Sequence, residues 1–316
     1  MKTSGHEPVL LEPALRLLDP RPGEVAVDCT LGAGGHALAL ARAIGPSGVL
    51  VGFDVDPGAV ERIRSRAAQE LPLPPTLHLF SENFVRAPDR LRGLGLRANV
   101  VLADLGFSSV QMDDAQRGFS FSREGPLDMR LDPRQPVSAA DLLASLSERD
   151  LARLIGEYGE DPLAGVIARK VAQIRGTSPI QTTTQLARLV EEAYGPRARR
   201  SRLHPATRTF MALRIAINDE LGALRSLLDA ISRGVGDGPG SSKVAWLNAG
   251  ARIALISFHS LEDRLIKRAF ADLEKRGMAA RLTRRPVTAD DAEIDRNPRA
   301  RSAKLRVARM ATPAQS

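Results

Sequence analysis

Cysteine is nearly absent from this chain of 316 residues. The single thiol, Cys29, excludes an internal disulfide and any zinc cluster built from several cysteines, and it favours a reducing compartment. Long apolar runs are missing too, since no stretch approaches the ~18 uncharged apolar residues of a membrane-spanning helix. Residues 1–19 lack the charged-then-apolar layout of a secretory signal. We therefore expect a soluble, cytoplasmic protein with no membrane or metal partner, and the oligomeric state stays open.

Lysine is scarce as well, since only six of the 45 basic residues are Lys and the others are Arg. The formal net charge of +8 points toward a polyanionic partner, with codon usage as an alternative source of part of the Arg excess. The densest basic segments are residues 197–202 and 281–309, and the second holds eight Arg and one Lys against four acidic residues. Two interpretations of these segments remain, contact with RNA phosphates and a solvated surface.

The first hundred residues alternate short apolar runs with helical patterns, in a chain whose 43% apolar content is enough to bury a core. Runs that are apolar on both faces are typical of parallel strands covered by helices on each side. We predict four such strands, at 25–28, 48–54, 77–80 and 99–104, and helices at 36–44 and 57–70. The pattern favours a doubly wound, Rossmann-like α/β domain.

After residues 118–136, which are rich in turn formers, the pattern becomes helical. We predict helices at 142–155, 163–174, 183–193 and 207–231, with Ser147 as a candidate cap before Glu148. Strand character returns at 252–258 and again at 304–308, which we predict to be an edge strand. The expected organisation is a discontinuous α/β domain of residues 1–116 and 213–316, interrupted by an all-helical substrate-recognition domain of residues 117–212.

A glycine-rich loop, Asp28-Cys-Thr-Leu-Gly-Ala-Gly-Gly-His36, lies between the first predicted strand and the first predicted helix. Glycines at such a position let the backbone approach a nucleotide closely, and Asp54, at the end of the next strand, is placed to accept ribose hydroxyls. The spacing Gly32-x-Gly34-x-x-Ala37 also matches the dinucleotide fingerprint, so a nicotinamide-dependent oxidoreductase is a rival interpretation. A simple tight turn is the structural alternative.

Two details favour S-adenosylmethionine as the ligand. Asp28 ends its strand four residues before the first glycine, where it can reach a cationic or amino group, and S-adenosylmethionine carries such groups but no pyrophosphate. Asp104 ends the fourth strand, so three strands end in or next to an aspartate at the edge where ligands of open α/β sheets bind. The segment Asp104-Leu-Gly-Phe107 keeps the carboxylate and the aromatic residue of amino-methyltransferase motifs but neither of their prolines.

Several long motifs resemble one family, the bacterial small-subunit (16S) ribosomal RNA cytosine-N4 methyltransferases, also called the RsmH or MraW family. The resemblance runs along nearly the whole chain and is most specific in two segments, Gly125-Pro-Leu-Asp-Met-Arg130 and Ser257-Phe-His-Ser-Leu-Glu-Asp-Arg264. It implies methyl transfer from S-adenosylmethionine to the exocyclic N4 of a cytidine in the decoding region. The cofactor-binding residues implied by the loop and by the family together are Asp28, Gly32, Gly34, Gly35, His36, Asp54, Phe84, Asp104 and Gln111.

The sequence departs from the family pattern at two loops. Val110 stands where a proline is usual, and Asn248-Ala-Gly-Ala251 replaces a Pro-Gly-Gly turn. Neither change deletes a residue to which chemistry is assigned. The implied partner is small-subunit ribosomal RNA or the assembling 30S particle, and a non-catalytic RNA-binding assembly factor is a further alternative.

The predicted catalytic residue is Asp104, as acceptor of the hydrogen bonds of the target amine, with a role toward the cofactor alone as the alternative. Aromatic, basic and polar side chains in or beside the motifs are candidates for contact with the flipped base or the RNA. These candidates are Phe107, Ser108, Arg117, Phe119, Arg130 and His259. Core packing is the alternative for the phenylalanines, loop anchoring for the arginines, and a structural hydrogen bond for the histidine. His204 is interpreted as a residue that caps or orients a helix.

Overall fold

The structure is a computed structural model that describes residues 7–107, 109–200, 204–235 and 245–312, without the side chains of residues 109, 110, 199 and 200. The chain divides into two compact units, one of residues 1–106 and 221–316 and the other of residues 107–220. The second unit extends beyond the predicted insertion of residues 117–212 at both of its ends. No helix in the described ranges is long and apolar enough to cross a bilayer.

Helices are numbered in chain order. They are α1 (Leu11–Leu18), α2 (Gly35–Ile44), α3 (Pro57–Glu70), α4 (Ala87–Gly93), α5 (Ser109–Asp113), α6 (Ala139–Ser145), α7 (Glu148–Gly159), α8 (Ala164–Ile174), α9 (Thr183–Tyr194), α10 (Ala206–Asn218), α11 (Glu220–Ser232), α12 (Ser260–Lys275) and α13 (Asp291–Arg296). Short 3-10 turns cover Phe84–Arg86, Ala115–Arg117, Gly195–Arg200 and Pro298–Ser302.

The first unit is built on one seven-stranded sheet. Its strands are β1 (Val25–Asp28), β2 (Val49–Phe53), β3 (Thr76–Phe80), β4 (Ala98–Asp104), β5 (Leu247–Ser257), β6 (Ala279–Arg281) and β7 (Lys304–Met310), in the spatial order β3-β2-β1-β4-β5-β7-β6. The pairs among β1 to β5 are parallel, whereas β7 pairs antiparallel with both β5 and β6. The doubly wound, Rossmann-like fold class is therefore confirmed.

One strand prediction is wrong in its placement. The segment 304–308 does form a strand, but β7 lies between β5 and β6 instead of at the edge of the sheet. The edge strand β6 has only three residues, which is too short to produce a readable alternation of apolar and polar residues.

Both faces of the sheet are covered, as expected for parallel strands. Successive residues point to opposite sides, so that Ala26 and Val100 join one hydrophobic cluster while Val27 and Val101 join the other. The first cluster includes side chains of α1, α2 and α3, and the second includes side chains of α4, α11 and α12. The resulting rigid sheet holds the ends of its strands in place.

The second unit packs its helices around a separate core that includes Leu127, Leu151, Ile167, Leu186 and Phe210. Two helix predictions merge helices that the structure divides. The segment 142–155 breaks before α7, where the Ser147 hydroxyl accepts the backbone N–H of Asp150 and so caps that helix as predicted.

The segment 207–231 also consists of two helices, because Asp219 adopts a left-handed conformation with φ of +45°. The preceding side chain, Asn218, turns into the unit: it donates to the carbonyl oxygen of Met129 and accepts from the N–H of Leu131. These contacts join residues far apart in the sequence, so the helical periodicity contains no sign of the break.

Candidate functional site

The carboxyl ends of the parallel strands bring three aspartates to one edge of the sheet. Asp28 ends β1, Asp104 ends β4, and Asp54 follows β2 directly. Because β1 lies between β2 and β4, these side chains belong to neighbouring strands. Ligands of open α/β sheets bind outside this edge. The structure thus gathers the three aspartates that the sequence singles out.

Asp28 is completely buried. Its Oδ1 accepts the backbone N–H of Thr30 at 2.9 Å, whereas Oδ2 has no hydrogen-bond partner among the described residues. Burial raises the pKa of Asp28 to about 7, and the charge of Asp54 adds to the rise against the lowering effect of the Thr30 N–H. A buried acceptor left unsatisfied in this way fits an amino or hydroxyl donor from a ligand.

Asp104 keeps 24% of its side chain exposed. Its Oδ2 lies 3.7 Å from Nε2 of His36, and no hydrogen-bond partner of Oδ1 is found in the part of the chain that the structure describes. Its backbone N–H donates to the Thr30 hydroxyl at 2.7 Å, which ties the end of β4 to the loop after β1. Burial raises the pKa of Asp104 well above its ordinary range, and the negative charges of Asp28 and Glu262 raise it further.

The glycine loop is packed too tightly for side chains at two of its positions. Gly34 has a φ of +92°, and a Cβ there would lie 2.0 Å from Cδ1 of Ile63 on α3. A Cβ at Gly35 would lie 2.6 Å from the Pro8 ring. Since Gly34 is the N-cap of α2 and has no side chain, the first N–H groups of α2 have no capping side chain. The N–H groups at the start of α2 are therefore candidates for contact with a ligand, and a simple tight turn stays the alternative.

Asp54 is held by two backbone donors. Its Oδ2 accepts the N–H of Gly32 at 2.8 Å and its Oδ1 accepts the N–H of Asp56 at 2.9 Å. Burial raises the pKa of Asp54 to about 6 in spite of these two bonds. Each oxygen keeps a second lone pair for a ligand hydroxyl. Asp54 is therefore placed to bind the hydroxyls of a ribose.

The other predicted residues of the first unit are placed as follows. His36 lies in the first turn of α2 and is 5% exposed. Phe84 follows β3 in a 3-10 turn and packs partly buried against the core. His259 is the N-cap residue of α12, and its Nε2 lies 3.3 Å from Oε1 of Glu262, whose Oε2 accepts the N–H of Phe258. Substrate contact by His259 stays a prediction.

The remaining predicted residues belong to the second unit, except that Ser108 lies outside the described residues. Gln111 is buried in α5. The rings of Phe107 and Phe119 stack at a centroid distance of 5.1 Å, and the guanidinium of Arg214 lies 4.7 Å from the Phe107 ring centre. The two phenylalanines thus form an aromatic pair with a cation against it.

Arg117 and Arg130 anchor a loop of the second unit. Arg117 donates to the carbonyl oxygens of Arg130 and Leu131. Arg130 forms a two-point ion pair with Asp128 and donates to the carbonyl of Gln135. RNA contact by the two arginines stays a prediction.

His204 accepts the N–H of Ala206 at the start of α10, so its predicted orienting role is confirmed.

Two residues near the aspartates, Thr30 and Glu262, were not among the candidates identified from the sequence. Thr30 links β1, the glycine loop and β4 through its backbone N–H and its hydroxyl. Glu262, 2% exposed, is the second carboxylate, after Asp28, whose charge raises the pKa of Asp104. Both residues lie inside motifs that the sequence analysis identifies, and this position in a motif is the signal by which they could have been found. The residue types alone do not indicate that Thr30 bonds to β4 or that Glu262 lies near Asp104.

Comparison with known proteins finds a methylase family and relatives named as ribosomal RNA methyltransferases. The model of a family described as the MraW methylase family matches residues 3–311. A protein of Acidobacterium capsulatum named ribosomal RNA small subunit methyltransferase H is 45% identical over 312 residues, which cover 98% of this chain and 99% of the relative. A protein of the same name from Symbiobacterium thermophilum is 42% identical, with 95% of each chain covered.

The raised pKa of Asp28 predicts how stability changes with pH. Burial raises the pKa to about 7, whereas the unfolded chain titrates near the ordinary value of about 4. The folded state therefore favours the neutral acid, and the free energy of unfolding should fall as pH rises from about 4 to about 7, by up to ~1.4 kcal/mol per pH unit. Asp28→Asn should remove this part of the slope.

Denaturant titrations at a series of pH values measure the slope. Asp89→Asn, on the exposed side of α4, is the control and should keep the wild-type slope. A slope that Asp28→Asn leaves unchanged would contradict the assignment.

Proposed function

The chain belongs to the MraW methylase family, and we propose that it methylates the exocyclic N4 of a cytidine in the decoding region of small-subunit (16S) ribosomal RNA, with S-adenosylmethionine as methyl donor. The names of the relatives support small-subunit ribosomal RNA as the substrate. The observation that carries the proposal is a pair of acceptor oxygens beside a glycine loop, one on Asp28 and one on Asp104, for which the described residues provide no hydrogen-bond partner.

The residues of the first unit fit S-adenosylmethionine. Its α-amine suits the buried Asp28 oxygen, and its ribose hydroxyls suit the remaining lone pairs of Asp54. Phe84 offers an aromatic surface for the adenine. When bound, the cofactor supplies an electrophilic methyl group on a sulfonium. The match to a methylase family argues against the oxidoreductase.

Cytosine N4 is a weak nucleophile because its lone pair is delocalised into the ring. Asp104 can compensate by accepting a hydrogen bond from the amine and meeting the positive charge that develops on N4. Because burial raises the pKa of Asp104, its carboxylate is also a better proton acceptor than an exposed aspartate. The Thr30 hydroxyl accepts the backbone N–H of Asp104, and Nε2 of His36 lies 3.7 Å from the carboxylate.

The second unit is proposed to be a substrate-recognition domain, whose side chains contact the RNA. A base in folded RNA must leave its stack to be methylated, and aromatic side chains commonly support it. Phe107, beside Phe119 and Arg214, is the aromatic candidate nearest to Asp104 in the sequence. Ser108, Arg117, Arg130 and His259 remain further candidates for substrate contact.

The most direct test is methylation of assembling small subunits in comparison with naked RNA, with the modified base mapped by mass spectrometry. The proposal expects one N4-methylated cytidine in the decoding region. Methylation of another atom or another region would overturn the proposed target. Calorimetry that detects NAD(H) binding and no S-adenosylmethionine binding would overturn the reaction, and binding of subunits without methyl transfer would favour the assembly factor.

Asp104→Asn separates a role in chemistry from a role in cofactor binding. We expect turnover to fall by about 100-fold or more, the range typical of a lost acid–base group, while the affinity for S-adenosylmethionine changes little. Calorimetry and single-turnover methylation measure the two quantities. Weakened binding with an intact chemical rate would assign Asp104 to the cofactor alone.

Several basic side chains of the 281–309 segment form ion pairs within the first unit. Arg281 pairs with Glu274, Arg296 with Glu7, and both Arg306 and Lys304 with Asp263. These ion pairs serve the first unit itself. The exposed arginines of the segment outside these ion pairs are Arg284, Arg285, Arg301 and Arg309.

Arg284→Gln with Arg285→Gln tests RNA contact by this segment. If both side chains contact phosphates, the slope of log affinity against log salt should become shallower by about 0.7–0.9 per charge removed. Filter binding to small-subunit RNA over a range of salt concentrations measures it. Arg92→Gln, exposed on α4, provides the control. An unchanged slope in the double variant would leave the segment as a solvated surface.

A further inference from the structure

Arg66, on α3, contacts the glycine loop from the side of the neighbouring helix. Its Nη1 donates to the carbonyl oxygen of Ala33 at 2.6 Å, and its Nε donates to Glu70 at 2.6 Å. The first bond joins a cation to the backbone of the loop that the proposed function assigns to the cofactor. Hydrogen bonds with a charged donor are among the stronger ones in proteins.

This bond fixes one peptide plane. The carbonyl of Ala33 and the N–H of Gly34 belong to the same planar peptide and point in opposite directions. Arg66 holds the carbonyl end, and the N–H end donates to the carbonyl of Leu31 at 2.7 Å. With both ends held, the peptide cannot rotate without loss of two hydrogen bonds. Gly34, whose φ is +92°, follows this peptide directly and leads into α2.

Ion pairs connect Arg66 to the far end of α2. Glu70 accepts from Arg66 and also from Arg42, which lies in the last turn of α2. The bond to Arg66 is the main cause that holds the pKa of Glu70 below its usual range. The contacts thus link Arg42, at the end of α2, through Glu70 and Arg66 of α3 to Ala33, in the loop that precedes α2. Beside this path, Ile63 of α3 packs against Gly34.

We propose that Arg66 is a positioning residue for the cofactor, because its guanidinium holds the Ala33–Gly34 peptide in the conformation that binds S-adenosylmethionine. The inference rests on the proposed function for the identity of the ligand. A lysine is a poor substitute, because a guanidinium presents coplanar donors to Glu70 and to Ala33 at once whereas an ammonium is a point charge.

Charge and position predict opposite effects of removing Arg66. S-adenosylmethionine has a net positive charge at neutral pH, from its sulfonium and its ammonium against one carboxylate. If Arg66 acted through its charge alone, its removal would strengthen binding of this cation. If it holds the loop, its removal weakens binding. The sign of the change therefore separates the two roles.

Arg66→Met keeps most of the apolar stem and removes the donors. We expect the Kd for S-adenosylmethionine to rise about ten-fold, as for loss of one charge-assisted hydrogen bond, with kcat at saturating cofactor nearly unchanged. The matched control is Arg64→Met, whose guanidinium pairs with Glu61 on the exposed side of the same helix. Its Kd should stay within about two-fold of the wild-type value, as for an exposed ion pair.

Hydrogen exchange of the Gly34 amide gives a readout without ligand. It should be faster in Arg66→Met than in Arg64→Met, whose loop is intact. If Arg66→Met fails to fold, Arg66→Lys takes its place and should show the same changes at smaller size. Unchanged affinity and unchanged exchange in the folded variant would overturn the inference, as would tighter binding.

The outcomes distinguish this inference from the proposed function. A wild-type protein that binds no S-adenosylmethionine would refute the proposed cofactor, and with it the cofactor-positioning role. A wild-type protein that binds and methylates, with Arg66→Met equal to Arg64→Met in affinity and exchange, would refute only the role of Arg66.

Discussion

The concentration of carboxylates at one edge of a parallel sheet is the constraint on which the site depends. Asp28 is buried, and the negative charge of Asp54 raises the energy of its ionised form. Asp104 is largely buried, and the negative charges of Asp28 and Glu262 raise the energy of its ionised form. Such a cluster is favourable only when protons, hydrogen-bond donors or a cation compensate its charge. The unpartnered oxygens of Asp28 and Asp104 among the described residues therefore suit a ligand with amino and hydroxyl groups.

The sheet itself makes this concentration unavoidable. Parallel strands end at the same edge, and neighbouring strands lie about 4.8 Å apart, so residues at the ends of β1 and β4 are held close whatever their charge. The hydrophobic clusters on both faces keep the strands in register. The glycine loop then completes the edge, because Ile63 and Pro8 leave no space for side chains at Gly34 and Gly35.

Much of the fold was predictable because its signals are local. The helix at 57–70 and the strand at 25–28 have the predicted bounds, and the strand-end aspartates follow from them. The single helix predicted at 207–231 was wrong because the turn at Asp219 accompanies contacts of Asn218 with residues almost ninety positions away. For the basic segment near the C-terminus the sequence left two interpretations, RNA contact and a solvated surface. It contained no sign that Arg296 forms an ion pair with Glu7, which lies at the opposite end of the chain.

The sequence by itself determined the parallel α/β sheet, the glycine loop and the aspartates that end its strands, since periodicity and strand-end position are properties of consecutive residues. Only the tertiary structure decided which of these groups keep an oxygen without a partner among the described residues, which arginines form ion pairs, and that Arg66 reaches back to Ala33. Hydrogen bonds and ion pairs of this kind depend on distances between separate elements. In this chain with one cysteine and few lysines, the candidate site consists largely of buried carboxylates, with an arginine bonded to its glycine loop. Which carboxylates and arginines pair with each other depends on how the separate elements pack.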